Sequence, residues 1–336
     1  MSREKIILTD VSLRDGMHAI SHQYTIQQIK KITQALDDAG LDVIEATHGD
    51  GLGGSSLQYG KSKETEKDII TTAVNNSKRA KISVLLLPGV GTITNLKEAK
   101  SCGAKVVRVA THCTEADVSE QHIKAARELE METFTFLMMA HRTSPKQLLE
   151  EAKKMESYGA QCIYVVDSAG ALTMDDVRER VSLLKEKLNI EVGFHAHNNL
   201  SLAVGNSIAA IEEGASRIDA SLLGMGAGAG NAALEPLVAV MNKLDIPHNV
   251  DLFKVMDAAE NIMKPIIRTP IEINRLTLSL GYTGVYSSFL LFAEKAGEKY
   301  GVDPRDILIK LAEMGAVGGQ EDWIIGVAQE LAKNKV

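Results

Sequence analysis

The sequence predicts an α/β fold, a (β/α)8 TIM barrel followed by a small C-terminal helical domain. Three observations predict it. Eight short apolar runs rich in Val and Ile alternate with segments whose apolar residues recur at helical spacing. Several helical segments stop at a glycine and pass within a few residues into the next run. Polar, chemistry-bearing residues gather at one end of the runs, as on the catalytic rim of closed barrels.

The runs fall at 6–11, 43–46, 82–87, 106–110, 133–140, 162–166, 191–196 and 217–223. Between them lie patterns such as Ile26, Ile29, Ile32, Leu36 and Leu148, Leu149, Ala152, Met155. Ala39-Gly40-Leu41, Cys102-Gly103-Ala104, Tyr158-Gly159-Ala160 and Glu213-Gly214-Ala215 form a weak internal repeat at helix ends. Thr92, Thr114, Ser144 and Thr173 stand where helix N-caps belong. Strand–helix alternation of this kind means a parallel sheet, and eight units suit a closed barrel of about 250 residues. An open doubly wound sheet is the alternative, but Leu13-Arg14-Asp15-Gly16-Met17-His18 is a poor phosphate loop. The barrel is assigned to residues 1–262. Beyond it the rhythm stops, and helices are expected over 287–300, 304–314 and 322–333 within a C-terminal domain of 263–336.

Composition bounds the function. The chain has 336 residues, 45% hydrophobic and 24% charged, ample for a large core. Its net charge of −7 and lack of a basic run give no reason to expect nucleic acid or an anionic membrane as partner. Only three apolar residues precede Thr9, too few for a signal-peptide core, and no apolar run nears the roughly 20 residues of a membrane span. The three cysteines, Cys102, Cys113 and Cys162, form no CxxC motif and read as reduced thiols of a cytoplasmic protein.

The strand ends carry the chemistry. His195-Ala196-His197 places two imidazoles on one face of a strand, and Asp15 completes a two-His, one-carboxylate set with open positions. Mixed oxygen and nitrogen donors suit Mn2+, Mg2+, Co2+, Fe2+ or Zn2+; without a thiolate Mn2+ is the first choice, with Mg2+ or Co2+ as alternatives. Arg14 is a fixed cation for oxygen charge developing beside that ion, or one half of a structural pair with Glu45; both hold if Glu45 aims Arg14. His18 suits a general base, or is a surface histidine. Ser168 is a candidate contact for a substrate carboxylate, or a turn residue. Asn198 and Asn199 are candidates for orienting the ligands, or for capping a helix. The glycine-rich stretch 224–231 either binds phosphate or lets backbone approach closely. Residues 48–54 read as a flexible lid or a plain loop. No strand end carries a lysine, which disfavours a Schiff base and favours metal stabilisation of an enolate.

Leu13-Arg14-Asp15-Gly16, Glu45, His195-Ala196-His197-Asn198 and Gly226-Ala227-Gly228-Ala229-Gly230-Asn231 together resemble the metal-dependent barrel family of hydroxymethylglutaryl-CoA lyase, isopropylmalate synthase and homocitrate synthase. His18 and Asn199 depart from those members, which usually carry Gln and Asp there. Leu13–Ala19, Thr47–Gly54 and Gly281–Phe289 are similar instead to one branch, the 4-hydroxy-2-oxovalerate aldolases of aromatic-compound degradation. That resemblance implies retro-aldol cleavage of 4-hydroxy-2-oxopentanoate to pyruvate and acetaldehyde through a metal-stabilised enolate. It implies Asp15, His195 and His197 as metal ligands, Arg14 for the enolate, His18 as proton acceptor, and Ser168 and Tyr286 as substrate contacts. It also implies a complex with an acylating acetaldehyde dehydrogenase that takes the aldehyde directly, with the C-terminal domain as docking candidate. An acyl-CoA lyase or synthase of the same family, and a non-catalytic metal-binding subunit, are the competing readings.

Overall fold

Eight parallel strands close on themselves in chain order in the computed structural model, which describes residues 4–287, 289–317 and 320–334. They are β1 (Ile7–Asp10), β2 (Val43–Glu45), β3 (Lys81–Leu86), β4 (Val106–His112), β5 (Glu132–Met138), β6 (Cys162–Asp167), β7 (Glu191–Ala196) and β8 (Arg217–Ala220). Thr9 of β1 lies opposite Val43 on one side and Asp219 on the other, so β1 seals the cylinder. The eight expected runs each overlap a strand, their ends differing by a few residues at most, and the open-sheet alternative falls.

The outer ring is α1 (Ile26–Ala39), α2 (Glu66–Asn76), α3 (Ile93–Ser101), α4 (Glu120–Glu128), α5 (Pro145–Tyr158), α6 (Met174–Lys187), α7 (Ala203–Glu212) and α8 (Leu234–Lys243), followed by α9 (Leu252–Ala258). Local chemistry sets their ends. Thr92, Ser144 and Thr173 each close a capping box with the residue three positions on. Gly40 ends α1 at φ 98°, and a Cβ there would lie 2.4 Å from the Asn249 carbonyl oxygen, so only glycine fits. Thr114 does not cap: its hydroxyl meets His112 Nδ1 at 2.8 Å, and a 3-10 turn at Ala116–Ser119 leads into α4.

The strands' outer faces and the helices share one large apolar core. Inside the barrel, Leu85, Val106, Ala110, Phe134, Phe136, Cys162, Tyr164 and Val166 form a smaller plug. Above this plug the interior turns polar, with Glu45, Arg108 and Asp219 fully buried. The C-terminal segment packs around its own core of Leu280, Phe289, Ile307, Leu311 and Ile324. It is built from α10 (Arg275–Thr283), α11 (Phe289–Tyr300), α12 (Pro304–Glu313) and α13 (Trp323–Lys333). The last three correspond to expected helices; α10, opened by an Asn274–Thr277 capping box, was not anticipated. Ser288, within the C-terminal stretch used for the resemblance, lies outside the described residues. Among the described residues, no helix is long and apolar enough to cross a membrane.

Asp37, buried near the end of α1, holds the approach to β3. Its carboxylate accepts from the backbone N–H groups of Lys78 (3.0 Å), Arg79 (2.8 Å) and Ala80 (2.7 Å) and from the Ser77 hydroxyl (3.0 Å). Burial alone would raise its pKa, but these donors outweigh it and hold the carboxyl below its ordinary value. A depressed carboxyl pKa stabilises the fold above the unfolded value of about 4, and that stabilisation is lost as pH falls through the folded value. Asp37→Ala is expected to cost about 1–3 kcal/mol in urea unfolding at pH 7. Asp37→Asn should give a shallower loss of stability than the parent chain on acidification below about pH 4.

Candidate active site

Each side chain of the site is placed by a strand end on one rim. β1 stops at Asp10, whose carboxylate accepts from Ser12 N (2.8 Å) and Ser12 Oγ (3.0 Å); Ser12 Oγ in turn accepts from Leu222 N at 2.9 Å. That clasp shapes the turn presenting Arg14, Asp15 and, on a 3-10 stretch at Asp15–Ile20, His18. Burial pushes the Asp10 carboxyl up to about 7. Two strands away around the barrel, His195 lies in β7 and His197 one residue past its end.

Asp15, His195 and His197 offer ligand atoms that all lie within 4.8 Å of one another, and all three residues are buried. His195 Nδ1 meets Asp219 Oδ2 at 2.8 Å, and His197 Nδ1 meets the Ala227 carbonyl at 3.3 Å. An acceptor at each Nδ1 puts the proton there and leaves each Nε2 with a bare lone pair. The two Nε2 atoms face each other at 3.4 Å, and His197 Nε2 is 3.7 Å from Asp15 Oδ2. Two lone pairs and a carboxylate oxygen turned on one point, with no proton among them, are a donor set that fits a divalent cation. Burial drops the His197 imidazole to about 4, leaving it neutral. Burial works against ionisation of Asp15, but the Arg14 guanidinium and the neighbouring imidazoles hold its carboxyl far below the ordinary range.

Behind this set is a buried lattice of charge. Arg108 donates Nε to Glu45 Oε1 (2.6 Å) and Nη2 to Glu45 Oε2, while its Nη1 reaches both Asp219 oxygens at 2.8 and 2.6 Å. Arg14 donates Nε to Glu45 Oε2 (2.6 Å) and Nη1 to Asp15 Oδ1 (2.9 Å). Two guanidiniums thus face three carboxylates, and a cation at the rim would offset the remaining negative charge. Despite its burial, Glu45 is held down to about 2 by the two arginines. Arg108 also lies 4.4 Å above the Phe136 ring, where the polar layer meets the apolar plug. Arg14 Nη2 is buried with no hydrogen-bond partner, a fixed donor awaiting an oxygen.

The other expected residues fall on the same rim with different immediate partners. His18 Nε2 is 3.9 Å from Asp15 Oδ1, and the side chain is about a quarter exposed. Ser168 Oγ accepts from Met139 N at 2.9 Å, which leaves its O–H free to donate. Tyr286 packs against both the barrel core and the C-terminal core. Burial, then the negative charges of Asp50 and Asp15, push its phenol well above the ordinary range. Its segment is anchored by His141, whose Nε2 meets the Gly284 carbonyl at 2.9 Å. Asn198 Oδ1 accepts from Ala203 N (3.2 Å) where the chain turns into α7, in line with the helix-capping alternative for this residue. Asn231 Nδ2 donates to Asp15 Oδ2 at 2.6 Å. Asn199 pins the glycine-rich loop, accepting from Ala229 N at 2.8 Å and donating to Ala169 O at 2.9 Å. That loop is built for close approach: a Cβ on Gly226 would lie 2.8 Å from Asp15 Oδ2. Residues 48–54, read as a flexible lid or a plain loop, are mostly buried and tied down, with Leu52 N on Leu85 O at 2.8 Å.

Arg108, Asp219 and Asn231 were missed as parts of the site. Arg108 and Asp219 had a signal, a charge inside an apolar run that the fold buries on both faces.

The HMGL-like family model matches residues 5–262, and the DmpG-like communication domain matches residues 271–333. A protein of Geobacillus genomosp. 3 named 4-hydroxy-2-oxovalerate aldolase is 56% identical over 335 residues, covering 100% of this chain and 99% of its own length. A protein of the same name from Chloroflexus aggregans is 56% identical over 328 residues, covering 98% of this chain and 96% of its own. Among solved structures, the N-terminal domain of a putative aldolase from Bacteroides vulgatus superposes with a TM-score of 0.74 at 22% identity, over 85% of this chain and 95% of that one.

Removing one member of the charge lattice leaves its partners stranded in the interior. Arg108→Met is expected to destabilise the fold by about 3–5 kcal/mol, read as a lowered urea midpoint. An unchanged midpoint would show that Glu45 and Asp219 do not depend on Arg108.

Proposed function

Because the chain belongs to the HMGL-like family and shares over half its residues with 4-hydroxy-2-oxovalerate aldolases along its whole length, we infer that it is a carbon–carbon lyase of that kind. It cleaves 4-hydroxy-2-oxopentanoate to pyruvate and acetaldehyde. The observation that carries the mechanism is the convergence of Asp15, His195 and His197 on one point beside the unpartnered Arg14 Nη2. These three residues would hold the divalent ion, for which Mn2+ is our first choice. When bound, the ion supplies a Lewis acid for the 2-oxo acid end of the substrate.

The protein's own groups do the rest. His18 accepts the proton of the C4 hydroxyl, directly or through water. The C3–C4 electron pair passes to C3 and C2 as acetaldehyde leaves, giving the pyruvate enolate. Arg14 donates Nη2 to the developing enolate oxygen; Glu45 and Asp15 hold the guanidinium so that it does not have to reorganise. Protonation at C3 then releases pyruvate. Ser168 orients the substrate carboxylate through its free O–H, and Tyr286 closes the site from the C-terminal side.

We place the domain boundary at 262/263 and assign the C-terminal helices to docking an acylating acetaldehyde dehydrogenase, which would receive the aldehyde before it escapes. The match to a communication domain supports this, as do the exposed apolar side chains Tyr282 (81%), Leu291 (65%), Phe292 and Ile325. A cytoplasmic place in aromatic-compound degradation goes with that assignment. Full-length identity to named aldolases favours this reading over an acyl-CoA lyase or synthase.

Pyruvate release from 4-hydroxy-2-oxopentanoate should vanish on chelation and return with Mn2+; full activity after exhaustive chelation would sink the metal-dependent mechanism. His18→Ala should lower kcat by about 100-fold or more while calorimetry finds metal affinity retained, and Asp15→Asn should weaken metal binding itself.

A further inference from the structure

We propose that the rim carries a second divalent-cation site, formed by His18, His22 and Asp50, and that filling it with Zn2+ shuts the enzyme off. Ligand atoms of these three residues also lie within 4.8 Å of one another. The cluster shares no residue with the Asp15–His195–His197 set, and no step of the cleavage uses His22 or Asp50.

Three observations build the site. His22 is 6% exposed, and its Nδ1 is buried with no hydrogen-bond partner. The ring is fixed: it stacks on His48 at 3.8 Å and meets the His18 ring edge-on at 5.0 Å. The gap between the rings exists because residue 49 is glycine. A Cβ there would lie 2.6 Å from His18 Nε2 and 2.8 Å from His22 Cε1, so both rings turn a nitrogen-bearing edge to the same small space.

Asp50 supplies the charge. Its Oδ2 lies 3.4 Å from His48 Nδ1, but that nitrogen already accepts from Asp50 N at 3.0 Å, so it offers the carboxylate a lone pair and no proton. His48 points its other nitrogen at the Gly60 carbonyl, 3.0 Å away, which fixes the proton there. The carboxylate therefore faces the His48 lone pair, an arrangement that a nearby cation resolves. Two imidazoles and a carboxylate suit Zn2+, which binds nitrogen donors more tightly than Mn2+ does.

The consequence rests on the reading of His18 as the base. A cation on His18 Nε2 occupies the lone pair that must accept the C4 hydroxyl proton. His18 Nε2 is only 3.9 Å from Asp15 Oδ1, so repulsion from an ion in the first site makes the second bind more weakly. Low Zn2+ then fills the first site, and excess Zn2+ inhibits.

The test is calorimetric titration of the chelator-stripped full chain with ZnCl2. The parent chain should bind two equivalents, the second at least tenfold more weakly. His22→Ala and Asp50→Ala should each lose the second equivalent and keep the first, while Asp15→Asn does the reverse. In the Mn2+-loaded enzyme, added Zn2+ should suppress pyruvate release, with the midpoint at least tenfold higher in His22→Ala. A single equivalent in the parent chain, or a second that survives both His22→Ala and Asp50→Ala, overturns the site. Should His18→Ala keep full turnover, the base assignment falls while the binding result stands, so the two readings fail separately.

Discussion

The interaction on which the rest depends is the pair of buried arginines shared among three carboxylates. Arg108 rises from β4 into the barrel and bridges Glu45 on β2 to Asp219 on β8; Arg14 extends the chain of charge to Asp15. Charges taken so far from water persist only when each is paired and hydrogen-bonded on several sides. Here every pairing also has a direction. Glu45 sets the plane of Arg14, and Asp219 fixes the proton of His195 on Nδ1 and so frees Nε2. The same contacts that keep the interior tolerable aim the chemistry.

The fold was legible because a parallel barrel repeats. Eight Val/Ile-rich runs, glycine stops at Gly40 and Gly159, and caps at Thr92, Ser144 and Thr173 are local signals, and local physics decides them. α10 was not legible: Arg275–Thr283 has a weak polar face, and its start depends on the Asn274–Thr277 pair. Residues 48–54 read as a flexible lid or a plain loop because glycine dominates them. In the fold those glycines permit burial, as at Gly51, where a Cβ would lie 2.7 Å from the Leu85 carbonyl.

The site was partly legible for a related reason. Asp15, His195 and His197 stand at strand ends, and the closed barrel brings such ends together without further information. The partners that orient them come from elsewhere in the chain. Asn231 reaches Asp15 across 216 positions and Arg108 reaches Asp219 across 111, distances over which no spacing rule operates. Asn198 was the natural candidate by adjacency, yet the start of α7 claims its amide. Adjacent residues at a strand end point apart, whereas β1 and β8, far apart in sequence, are neighbours in the closed barrel and bring Asp15 and Asn231 together.

Arg108 belongs to two carboxylates at once, and this bears on how such a molecule changes over generations. Any lone replacement at Arg108, Glu45 or Asp219 strands an ion in the interior, so these three positions can drift only in concert. The outer turns carry no such veto. Novelty in what the barrel accepts would accordingly accumulate around the mouth while its inner girdle stays frozen, and descendants would differ in diet sooner than in chemistry.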